Sequence, residues 1–128
     1  MKQRIAPRRD LGGRLAAVPT ALAAALAFAA CAAAAPLDEA AAVNRLQQQL
    51  QRSADYRSHG ECLSLLVEER EPAFFGIAVY EKHGDGCPGD PATMPVLDRF
   101  RVDLATGALR RYDVVEDRYA DWTPDTAR

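Results

Sequence analysis

Histidine and cysteine are scarce in this chain, which has two His and three Cys among 128 residues and no Cys-x-x-Cys pair. The missing pair excludes the dithiol redox motif, and so few imidazoles and thiols leave little to build a zinc site from. His59, His83, Asp85 and Asp90 are the only local ligand candidates. Their spacings match neither the zinc patterns nor the calcium loop Asp-x-Asp-x-Asp-Gly, so no metal or other cofactor is expected. Catalysis is not expected either. Ser58 and His59 are neighbours in sequence, which does not set a hydroxyl against an imidazole in a useful geometry. A basic surplus is absent too. Residues 36–128 hold 11 Lys and Arg against 17 Asp and Glu, a net charge of −6, so net charge draws neither nucleic acid nor anionic lipid.

The N-terminus has the opposite character. Lys2, Arg4, Arg8, Arg9 and Arg14 face one acid, Asp10, and residues 15–30 carry no charge. This is the order of an export signal, a basic n-region and then an apolar h-region. The run is shorter than the roughly 20 residues of a spanning helix, which is the alternative reading. Arg8-Arg9-Asp10-Leu11 lacks the rest of a twin-arginine motif and reads as plain n-region. Two processing routes remain open. Phe28-Ala29-Ala30-Cys31 resembles a bacterial lipobox, in which Cys31 becomes the lipidated N-terminus, although Phe28 stands where Leu is preferred. Cleavage at Ala30-Cys31-Ala32 would instead remove Cys31 with the signal. The expected location is the periplasm, or the bacterial envelope through a lipid on Cys31, which would be the only membrane attachment.

Either route leaves Cys62 and Cys87. In an oxidising compartment they can pair only with each other within one chain; the alternative is a pair of buried free thiols. Cys87 sits in the stretch His83-Gly84-Asp85-Gly86-Cys87-Pro88-Gly89-Asp90-Pro91-Ala92-Thr93-Met94-Pro95. Three Gly and three Pro cannot continue a strand or helix, so this is a loop between two apolar segments. A disulfide to Cys62 would hold it, making His83, Asp85 and Asp90 candidates for recognition.

The rest of the chain reads as one helix and then hairpins. Pro36-Leu37-Asp38-Glu39 looks like a helix start, and Val43, Leu46 and Leu50 form one apolar stripe along the following helix. Residues 53–60 connect to a strand at 61–69, in which Leu63, Leu65 and Val67 share a face. A turn at 70–73 leads to a strand at 74–82. With that turn centred on Glu71-Pro72, Cys62 lies opposite a residue near Glu81, within reach of a loop that folds back. Strands at 96–103 and 108–115 follow, joined through Gly107. Arg99, Arg101, Arg110 and Arg111 form a basic cluster, read as an outward face with cross-strand pairs to Asp98, Asp103 and Asp113; the alternative is an anion site. Tyr119 and Trp122 dock the tail. The fold class is α+β: an N-terminal helix packed on a four-stranded antiparallel meander sheet, spanning 36–122 after the signal and Ala-rich remnant at 1–35, with a frayed tail at 123–128.

Phe100-Arg101-Val102-Asp103-Leu104-Ala105-Thr106-Gly107-Ala108-Leu109 resembles the final hairpin of the PepSY-type domain of secreted bacterial proteins. There a strand ending in Val-Asp runs through Thr-Gly into the next, and the likeness covers roughly residues 74–115. A cystatin-like helix-on-sheet fold is the neighbouring alternative. Relatives of the PepSY type occur in protease propeptides and are thought to bind or inhibit proteases, so the resemblance implies a noncatalytic binding module with a protein partner in the cell envelope. The loop around Cys87 departs from the usual PepSY pattern. A structural or accessory envelope lipoprotein without a small ligand is the alternative function.

Overall fold

A computed structural model describes residues 12–13 and 32–125. The arginine pair, the h-region at 15–30 and Cys31 lie outside the described residues. Among the described residues no helix is long and apolar enough to cross a membrane.

Helix α1 spans Glu39–Arg52 and starts where Asp38 accepts a hydrogen bond from the Ala41 amide at 2.8 Å. Glu39 in the first turn and Arg52 in the last complement the helix dipole. Its buried residues are Ala42, Leu46, Gln49 and Leu50. The apolar stripe is therefore turned slightly from the expected one: Val43 packs at its edge, and Gln49 joins the buried set instead of facing water. The 53–60 connection contains one helical turn, α2, at Ala54–Arg57, which brings Tyr56 into the core.

Five strands follow: β1 Leu63–Arg70, β2 Phe74–Glu81, β3 Val96–Asp103, β4 Leu109–Asp113 and β5 Arg118–Asp121. They form one antiparallel sheet in the order β1-β2-β3-β4-β5. The α+β helix-on-meander class is as the sequence implies, with one strand more. The tail does not merely dock. Asp113 Oδ1 accepts from the amides of Val115 and Glu116, Asp117 takes a φ of 50°, and the chain reverses into β5. Val114 and Val115, expected in the fourth strand, are in that turn instead.

The core lies between α1 and one sheet face. Leu46 and Leu50 from the helix meet Ile77, Val79, Phe100, Val102 and Leu109 from the sheet. Burying each such side chain contributes about 1.5–3 kcal/mol. Tyr56, Phe100 and Trp122 close one side of this core in edge-to-face contacts, with ring centroids 5.1–6.1 Å apart. Trp122 therefore faces the helix, whereas Tyr119 packs against Tyr112 on the opposite face.

Candidate recognition surface

Cys62 directly precedes β1, and its carbonyl accepts from the Lys82 amide at 2.8 Å just beyond β2. This places it within one residue of its expected position opposite Glu81. Cys87 returns to it, and the two are joined by a disulfide with Cα atoms 5.6 Å apart. The return is a tight turn: Gly84 and Cys87 exchange backbone hydrogen bonds of 3.0 and 2.9 Å across Asp85 and Gly86. Both central residues have positive φ, 51° and 89°, which suits the Asp-Gly pair.

The three recognition candidates have separate fates. His83 turns into the loop: its Nδ1 is 2.8 Å from Thr93 Oγ1 and 3.1 Å from the Asp90 carbonyl oxygen. A carbonyl can only accept, so Nδ1 carries a hydrogen and donates. Its other ring nitrogen lies 3.6 Å from Glu81 Oε1. Gly89 passes so close that a Cβ there would come within 2.5 Å of the ring. His83 thus fills the loop from inside, with part of it lining a cavity of about 280 Å3. Asp90 meets it through its backbone, while its carboxylate accepts from the Ala92 amide at 2.9 Å. Asp85 is exposed at the turn and lines the same cavity as His83 without bonding to it. Among the described residues no three His, Cys, Asp or Glu side chains are grouped to hold a metal ion. His59 lies in the α2–β1 connection, its backbone bonded to Tyr56 and Cys62.

The sheet face away from the helix is a lattice of ion pairs. A bulge between Val67 and Glu69 interrupts the β1–β2 register, and Glu68 and Glu69 both reach arginines of β3. Glu68 accepts from Tyr80 Oη at 2.7 Å and Arg99 Nε at 3.1 Å, and these contacts hold its carboxyl below the usual range. Glu69 lies across Gly76 to Arg101, at 3.2 Å. The Arg101 guanidinium stacks between Phe74 and Tyr119, 4.3 and 4.1 Å from the ring centroids. Arg110 pairs with Asp121 at 3.2 Å. Three of the four clustered arginines are therefore neutralised, but by Glu68, Glu69 and Asp121 rather than the expected aspartates.

Arg111 does not belong to that outward set. It pairs with Phe100 in the β3–β4 register, so it shares the helix-facing side, and its Nη1 donates to Tyr56 Oη at 3.4 Å. Tyr56 Oη in turn donates to Asp98. Burial first, and then the Asp98 carboxylate, raise the Tyr56 pKa well above that of an ordinary phenol. A neutral hydroxyl thus links two charged groups beside the core.

Gly76 gives a direct test of the crossing ion pair. A Cβ there would lie 2.7 Å from Glu69 Cβ and 2.8 Å from its Oε2. Gly76→Ala should therefore push Glu69 off Arg101 and destabilise the domain by about 1–3 kcal/mol. Urea titration checks this, and a change below about 0.5 kcal/mol would show that the strand has room to spare.

A further feature escaped the sequence reading. Among the described residues the exposed large apolar side chains are Leu66, Met94, Val96, Val114 and Val115. The last four share one end of the sheet. In an up-and-down meander the entry to β1, the β2–β3 connection and the β4–β5 turn all lie at the same end, and the disulfide ties the first two together. No family model, no curated protein and no solved structure matches this chain.

Proposed function

We propose that this is an exported, noncatalytic binding module that engages a protein partner in the bacterial envelope through the disulfide-tied end of its sheet. The carrying observation is the gathering of Met94, Val96, Val114 and Val115 there, with Val114 79% and Val115 86% exposed. Exposed apolar groups mark an interaction site where they form one contiguous patch. Export is supported by the basic and then apolar N-terminus and by a disulfide, a bond that persists in oxidising compartments. The resemblance of the 100–109 hairpin to PepSY-type domains makes a protease the first partner class to examine.

Adding the purified mature protein to a periplasmic extract of the source cell should lower proteolysis of casein in a stoichiometric manner and co-purify a protease. Steady proteolysis, together with co-purification of an envelope complex, would favour the accessory lipoprotein reading that the Phe28-Ala29-Ala30-Cys31 motif supports.

A further inference from the structure

The geometry points to a plug, apolar at its tip and acidic around it, that fits an apolar cleft with a basic rim on a protein partner. This rests on the binding-module reading and adds the partner's surface chemistry. Leu97 at the start of β3 and Val114 after β4 line the same cavity of about 410 Å3, while Met94 lines a second cavity beside the disulfide loop. The stretches 58–62, 81–95 and 113–118 together carry seven carboxylates against two cations, Lys82 and Arg118. Most of the acidic surplus of the folded domain is thus concentrated at this end, whereas the arginines of the open sheet face are already paired.

The tip is fixed as well as apolar. Asp113 holds the amides after it, Asp117 accepts from Tyr112 Oη, and the disulfide anchors the neighbouring loop. The two turn amides also keep the Asp113 carboxyl below its usual range, so its charge is present at neutral pH. A pre-formed tip loses little conformational freedom on docking. An apolar centre with a charged rim is the ordinary anatomy of a protein interface. Charge decides among occupants. Anionic lipid would be repelled, and two copies would bring like charges together, whereas Lys and Arg around a cleft would speed the encounter.

The test uses the full chain in the source cell, with benzoylphenylalanine placed singly at positions 66, 94 and 114. The partner cross-linked is then titrated with the unmodified protein, Val114→Asp/Val115→Asp and Glu61→Lys/Glu116→Lys. Cross-links from 94 and 114 to one protein, at a cleft bordered by Lys or Arg, are expected. Affinity should fall at least about 30-fold in the valine variant, as for buried interface anchors. Association should slow about tenfold in the lysine variant and with added salt. The altered side chains are exposed, so both variants should keep the parent melting temperature, which separates lost docking from lost folding. Cross-linking through position 66 alone would overturn the plug while leaving a binding module. Cross-links to lipid or to a second copy, or association insensitive to both charge and salt, would also overturn it. No protein cross-link at any position would overturn the plug and the binding-module reading together.

Discussion

Replacing Cys62 and Cys87 together by alanine should lower the stability of the folded domain by about 3.5 kcal/mol, the chain-entropy figure for a loop of this size. The bond joins residues 25 apart in sequence. Without it the unfolded chain regains that loop's freedom, while the native backbone keeps its hydrogen bonds. For a domain of under 100 residues the expected drop in Tm is roughly 15–25 °C. Domains of this size have about 5–15 kcal/mol in total, so the loss is a large fraction. The loop should not collapse entirely. His83 still bridges Thr93 and Asp90 from within, and Gly84 and Cys87 are paired through their backbones. Hydrogen exchange should therefore show protection lost first at the Lys82–Cys62 rung rather than across β3. Thermal unfolding with and without reductant is the measurement. A shift of only a few degrees would mean that the unfolded chain is already restricted, and thiol labelling of the native protein without reductant would mean that the bond does not form in the cell.

That staple was legible because it depended on counting and on period two. The turn at residues 71–73 and the bulge between Val67 and Glu69 together set the β1–β2 register, which brings Cys62 beside Lys82, one residue from where a turn centred on Glu71-Pro72 and plain alternation put it. The helix start was equally local, since Asp38 needs only the amide three residues on. What escaped detection depended on partners far away in sequence, or on a turn without its usual residue. The β4–β5 turn uses Asp117 at positive φ, where glycine would have announced the reversal. Val114 and Val115, being β-branched, read as strand, although each is exposed in that turn. Grouping Arg110 with Arg111 ignored alternation: adjacent strand residues face opposite ways, so one pairs with Asp121 and the other meets Tyr56. The bulge that aligns Glu68 and Glu69 with arginines of β3 leaves no mark in the sequence, because two adjacent acids fit an ordinary strand equally well.

Phe100→Ala should be the most damaging single substitution. The ring is fully buried at the centre of β3, opposite Ile77 on β2 and Arg111 on β4, with the Trp122 and Tyr56 rings 5.1 and 6.0 Å away. Truncating a buried Phe costs about 3–5 kcal/mol, because transfer free energy is lost and the cavity closes only in part. Here the cavity would open beside the Tyr56 hydroxyl that joins Asp98 and Arg111, so collapse would bring charged groups toward an apolar gap. The cost should fall at the upper end of that range. The chain has one tryptophan, and it touches the deleted ring, so a red shift of its emission reports the loosening before global unfolding. Phe100→Leu keeps most of the volume and should lose no more than about 1.5 kcal/mol. If Phe100→Ala and Phe100→Leu melted within a few degrees of each other, the aromatic cluster would not be what closes this core. Combining Phe100→Ala with loss of the disulfide removes about 8 kcal/mol if the two act independently. That approaches or exceeds the whole stability of many domains of this size, so the combined variant should be unfolded at 25 °C, whereas Val114→Asp/Val115→Asp stays folded and loses only its partner.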